Sequence, residues 1–231
     1  MWSSVVSAAM AGAVLVHGAW HGAWCWDGVV EELHARHVPV MAVDLPLTGL
    51  EDDVAAARAA IVASGPGTVV VGHSYGGEVI SAAARGMPEV AHLIYLCALM
   101  PDAGEDVGAL MAEHGSEIFG AVLPDGEKLG VDPTRAGELL YADSDATVVA
   151  SILPRLRPMV FSAPAADQPA WHDIPSTYVI CTADRVIPPS LQRHFAARAG
   201  SAVEWPTDHS PFLTRPGDVA ALIVSRLPDQ A

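Results

Sequence analysis

Thr68-Val-Val-Val-Gly-His-Ser-Tyr-Gly-Gly77 carries the densest chemical signal in the chain. An apolar, β-branched run leads into Gly72-x-Ser74-x-Gly76, and a helix-like stretch, Glu78–Arg85, follows at once. Strand, sharp turn and helix in that order form the setting of a nucleophile elbow, which holds a serine hydroxyl proud of a sheet edge. Glycines flank the serine because the two backbones meet closely there and leave no room for a side chain. The five-letter pattern alone is weak; its flanks make it informative.

Outward from the elbow, short apolar runs alternate with alanine-rich segments. Strands are predicted at Ala13–His17, Pro39–Asp44, Thr68–Gly72, Ala91–Leu96, Thr177–Thr182 and Ala202–Trp205. Helices are predicted at Asp27–Arg36, Asp52–Ala63, Glu78–Arg85, Ser190–Ala199 and Pro216–Leu227. Continuously apolar strands separated by helices imply a mostly parallel sheet covered on both faces. The expected class is α/β, doubly wound, in a single domain spanning 1–231. Its core comprises 1–101 and 172–231. The proline-bearing stretch from about 102 to 171 shows no convincing strand and carries helix-like patches at Val107–Glu113, Thr134–Leu140 and Ala146–Leu153. It is too long for a loop and is expected to form a small helical cap inserted before the penultimate strand.

The 231 residues, 51% hydrophobic, can bury one sizeable core. A net charge of −15 argues against nucleic acid and anionic membranes as partners. Cys25, Cys97 and Cys181 lack CxxC spacing, and the latter two lie in apolar runs, which suits small core residues in a reducing, cytoplasmic compartment. The apolar start, Met1–Ala11, has no basic region and reads as neither a signal peptide nor a membrane span.

A serine nucleophile needs a base, an orienting carboxylate and an oxyanion site. His209, in Thr207-Asp-His-Ser-Pro-Phe-Leu213, lies in a loop after the last strand, where the Ser…Asp…His chain order expects the base. Asp184, at a strand end in Val179-Ile-Cys-Thr-Ala-Asp184, is the candidate orienter. Its neighbour in role, Asp208, adjoins His209 too closely to reach its ring and is expected to shape the loop. The oxyanion donors are expected to be the amide of Tyr75 and that of Ala19, in the loop His17-Gly-Ala-Trp20. Trp20 is a candidate for the substrate pocket, whereas Trp24 and Trp26 are expected to anchor the next helix. His17 and His21 are four apart, but no third ligand is placed near them and they leave a strand, so no metal is expected.

Leu15-Val-His-Gly-Ala-Trp-His-Gly-Ala-Trp-Cys-Trp26, Gly72-His-Ser-Tyr-Gly-Gly77, Tyr95-Leu-Cys-Ala-Leu-Met-Pro101 and Asp208-His-Ser-Pro-Phe-Leu213 resemble the α/β-hydrolase superfamily. More narrowly, they are similar to the branch of plant methyl esterases, hydroxynitrile lyases and bacterial pyrethroid-hydrolase-type carboxylesterases. The resemblance covers nearly all of the core and fades over 102–170. It implies a Ser74–His209–Asp184 triad, oxyanion donors at Ala19 and Tyr75, no cofactor and an ester as the small-molecule substrate. Lyases of this branch carry a threonine where this chain has Gly18 and a lysine where it has Ser210, so hydrolysis is the expected chemistry. The same superfamily contains ligand receptors and biosynthetic cyclases, which keep the fold for other ends. A dehalogenase would need a carboxylate at the elbow. Leu45-Pro-Leu-Thr-Gly-Leu50 is shorter than the usual stretch of the family, implying a more open pocket wall.

Overall fold

The computed structural model describes residues 11–161 and 168–228. Six strands, β1 (Ala13–Val16), β2 (Val40–Val43), β3 (Thr68–His73), β4 (Val90–Leu96), β7 (Ser176–Cys181) and β8 (Ser201–Trp205), form one sheet in the order β2-β1-β3-β4-β7-β8. Every pairing within it is parallel. Alternate residues of each strand face opposite layers. Val69 and Val71 of β3 pack with α1 (Asp27–Ala35) and α9 (Pro216–Val224), whereas Val70 packs with α2 (Leu50–Ser64), α3 (Gly76–Ala83) and α7 (Pro189–Ala196). Both faces are therefore buried, which is why the strands read as unbroken apolar runs. The expected doubly wound α/β class is the observed one.

Between β4 and β7 lie α4 (Val107–Glu113), α5 (Pro133–Leu140) and α6 (Ala146–Ile152), each within a residue of a predicted patch. This insertion also corrects the sequence reading. It contains a hairpin, β5 (Val122–Asp125) and β6 (Lys128–Val131), paired antiparallel and extended by a bridge from Leu129 to Met159. Pro124 argued against a strand, yet a two-stranded ribbon has a free outer edge where a missing N–H costs nothing. Gly126, at φ 63°, begins the two-residue turn, so Asp125-Gly126-Glu127 was the signal that could have revealed it. A single-turn α8 (Pro211–Thr214) precedes α9.

The three cysteines are buried and free. No helix among the described residues is long and apolar enough to cross a membrane. The opening stretch read as neither leader nor span lies, apart from Ala11, outside the described residues.

The elbow is the tightest junction of the core. Ser74 takes φ 51°, in the left-handed region. A Cβ on Gly72 would sit 2.6 Å from the Gly76 carbonyl oxygen, and one on Gly76 would sit 2.5 Å from that of Val16. We predict that Gly76→Ala destabilises the fold by on the order of 3 kcal/mol, because backbone on both sides must shift. Urea unfolding monitored by tryptophan fluorescence checks this, and an unchanged midpoint would contradict the close approach.

Candidate active site

Three loops at the carboxyl edge of the sheet converge on Ser74. The first follows β1. Gly18 packs against the serine so closely that a Cβ there would lie 2.8 Å from the Ser74 Cβ and 2.9 Å from the His73 Nδ1. Ala19 comes next, and Trp20 turns the chain with φ 64°. Among the described residues, the amides of Ala19 and Tyr75 donate to no acceptor. Unspent N–H groups, that of Tyr75 at the start of α3 and that of Ala19 in the loop after β1, are suited to a developing negative charge.

The second loop follows β7 and holds Asp184. The carboxylate is well supplied with donors. Its Oδ1 accepts from the amides of Val186 (2.7 Å) and Ile187 (3.0 Å), and its Oδ2 from Gln192 Nε2 (2.9 Å). Gln192, on α7, also takes the Cys181 amide at 2.8 Å and donates to the Ile187 carbonyl at 2.6 Å. Nothing in the sequence marked Gln192, since only the fold brings α7 against the strand end. The third loop follows β8, and His209 Nδ1 donates to Asp184 Oδ2 at 2.7 Å. Both residues are buried, at 1% and 3% exposure. A proton fixed on Nδ1 leaves Nε2 as the acceptor.

His73, the chain neighbour of Ser74, ties this loop to the elbow. Its Nε2 donates to the His209 carbonyl (2.8 Å), the Cys97 thiol meets the same oxygen (3.3 Å), and its ring centroid lies 4.7 Å from that of His209. His73, Cys97 and His209 form the group of possible metal ligands among the described residues. His73 Nε2 and the Cys97 thiol are committed to the His209 carbonyl and His209 Nδ1 to Asp184, so the trio reads as packing and not as a metal cradle. His17 and His21 are likewise engaged. His17 Nδ1 donates to the Gly18 carbonyl and Nε2 accepts from the Leu45 amide; His21 Nδ1 donates to the Ala19 carbonyl and Nε2 accepts from the Tyr141 hydroxyl. Burial pushes His17 down to about 4 and His21 to about 3, so both stay neutral.

The insertion closes over these loops. Arg157 donates to the carbonyls of His21 and Leu45, and its amide donates to that of Trp20. Asp143 and Asp208 exchange reciprocal amide-to-carboxylate bonds of 2.9 and 2.8 Å, which makes Asp208 a loop latch. Trp20 is buried, with its indole N–H on the Leu129 carbonyl and its ring edge against Phe161. Trp26 is fully buried under α1, while Trp24 is half-buried and stacks on His21. The short loop after β2 is not left open, because the Leu47 carbonyl accepts from the Val160 amide and its N–H donates to Asp53.

A parallel sheet with a strained serine turn, followed along the chain by a bonded aspartate and histidine at successive strand ends, defines the α/β-hydrolase class. Residues 13–222 match the family described as "Alpha/beta hydrolase family", and the chain belongs to it. It is 29% identical over 234 residues to alpha/beta hydrolase nvfD of Aspergillus novofumigatus, covering 91% of this chain and 94% of that protein. It is 26% identical over 253 residues to esterase PIR7B of Oryza sativa subsp. japonica, covering 91% and 93%. Its backbone matches the crystal structure of a pyrethroid hydrolase from Sphingobium faniae JZ-2 with a TM-score of 0.77, at 23% identity over 94% of this chain and 96% of that one. The resemblance drawn from the motifs is borne out.

The buried histidines give a pH signature. Unfolded, they bind protons below about pH 6.5, whereas in the fold they do not, so their contribution is complete above that pH and is lost as pH falls toward about 4. Each contributes up to ~1.4 kcal/mol per pH unit in that window. Carboxyls raised by burial, Glu78 among them, act in the opposite sense. The comparison of wild type with His21→Gln isolates the histidine. Between about pH 7 and about pH 5 the variant should lose less stability than wild type in urea titrations; equal losses would contradict a neutral buried His21.

Proposed function

We propose that the chain is a serine carboxylesterase-type hydrolase that opens a small-to-medium hydrophobic ester through an acyl-enzyme. The observation that carries this reading is the buried 2.7 Å bond from His209 to Asp184 beside the strained Ser74 turn. A lone serine hydroxyl is a poor nucleophile at neutral pH, and an imidazole held by a carboxylate corrects that.

Ser74 Oγ attacks the ester carbonyl while His209 Nε2 takes its proton. Asp184 keeps Nδ1 protonated and stabilises the imidazolium. The carbonyl oxygen, now an anion, is received by the amides of Ala19 and Tyr75. Losing one such donor typically costs about a hundredfold to a thousandfold in turnover. The tetrahedral intermediate collapses, His209 returns the proton to the departing alcohol, and Ser74 is left acylated. Water then repeats the sequence, with His209 as its base, and releases the acid. No cofactor enters either half. Trp20 and the insertion at 102–171, acting as a cap, shape the pocket.

The esterase name of the rice relative supports the substrate class. Gly18 speaks against lyase chemistry: a threonine there would press its Cβ to within 2.8 Å of Ser74. The lysine position of the lyases is held here by a fully buried Ser210.

Turnover of p-nitrophenyl acetate tests the assignment. Ser74→Ala should abolish it, and Asp184→Asn should lower kcat about ten-thousandfold by freeing the wrong tautomer. Equal turnover by wild type and Ser74→Ala would overturn the hydrolase reading in favour of a non-hydrolytic member, a cyclase or ligand-binding protein. Asp184→Asn near wild type would move the carboxylate role elsewhere.

A further inference from the structure

Glu78 lies one helical turn beyond Ser74 on α3, and the chemistry above makes no use of it. The residue is only 8% exposed. Among the described residues its carboxyl has neither a hydrogen-bond nor an ion-pair partner, and its oxygens keep a narrow contact with solvent. Buried carboxylates are almost always paired, and Glu78 has only its narrow contact with water, which a cation from outside the chain would replace.

Its surroundings indicate which partner. Glu78 follows Tyr75 by three residues in the first turn of α3, where its amide donates to the Tyr75 carbonyl at 3.0 Å, and positions three apart are neighbours on a helix surface. Its charge bears on the Tyr75 phenol, whose pKa is raised by burial first and by Asp53 and Glu78 in addition. Tyr75 cannot neutralise Glu78, because its hydroxyl donates to Asp53 Oδ2 at 2.8 Å. The Tyr75 ring meets Phe161 at 6.4 Å, and Phe161, 46% exposed, meets Trp20 at 6.0 Å. Ring faces are electron-rich and attract cations most strongly where water is scarce. The chain's net charge of −15 draws cations in the same direction.

We propose that Glu78, with the rings of Tyr75 and Phe161, forms a subsite for an ammonium group, so that the ester opened by Ser74 carries a tertiary or quaternary amine on its hydrophobic body. This rests on the serine-hydrolase reading and names its substrate class. A hydrocarbon ester leaves the carboxyl unpaired, and an anionic one is repelled. Burial holds the Glu78 carboxyl up to about 7, which suits a group that ionises fully when a cation arrives.

The test pairs acetylcholine with neohexyl acetate, which has the same shape with carbon in place of the charged nitrogen, at a pH where Glu78 is ionised. Wild type should favour acetylcholine in kcat/KM by about tenfold or more, and Glu78→Gln should bring the ratio toward one. Phe161→Leu should lower it in part. Calorimetric titration of wild type with choline against neohexanol reads the same preference without catalysis, and serves if Glu78→Gln does not fold. A wild-type ratio at or below one, with neohexyl acetate still turned over and no preference for choline, overturns the subsite while the hydrolase reading stands. Preferential choline binding without turnover of either ester supports the subsite and overturns the hydrolase reading.

Discussion

The architecture of the site depends on one close approach: the first turn of α3 against the end of β1. Gly76 faces the carbonyls of Val16 and His17, and Gly72 faces that of Gly76, at distances where any side chain collides. This contact forces Ser74 into the left-handed region at φ 51°, a strain of about 1 kcal/mol that the packed sheet sustains. It also presses the His17–Trp20 loop onto the serine through Gly18. Ser74 and one of the two unspent amides are thus set by a single backbone junction.

The histidine is held by the same logic from the other side. Asp184 orients its ring, while His73 and Cys97 both fasten on its backbone carbonyl. His73 is adjacent to Ser74 in the chain, so the elbow and the His209 loop cannot drift independently. Gln192 saturates the outer side of Asp184 and keeps the carboxylate from turning away. Neutral buried histidines and backbone carbonyls do the positioning. Among the described residues of this arrangement, the one potential ion pair is that of Asp184 with His209, and the hydrogen bonds around Asp184 offset part of the cost of burying it.

How much of this was legible depends on how local each signal is. The elbow, β1 and the His209 loop announce themselves through glycine spacing, apolar runs and chain order, and the structure joins Asp184 to His209 as those cues suggested. The features that escaped are tertiary. Gln192 reaches Asp184 across eight residues of chain, Asp53 meets Tyr75 from another helix, and Arg157 binds a loop more than a hundred residues upstream. No periodicity encodes such contacts. The β5–β6 hairpin was missed for a different reason, since Pro124 masked a turn signal that Gly126 carried in plain view. Glu78 entered the sequence reading only as the first residue of a helix, and its burial comes from the fold.

The most direct measurement of the central claim is a map of covalent labelling by a fluorophosphonate probe, read by peptide mass spectrometry. An activated serine at the elbow predicts a single adduct on the peptide bearing Ser74, formed at neutral pH and slowed sharply by His209→Ala. No adduct, or one on another residue, would contradict a nucleophile at Ser74 activated by the Asp184–His209 pair.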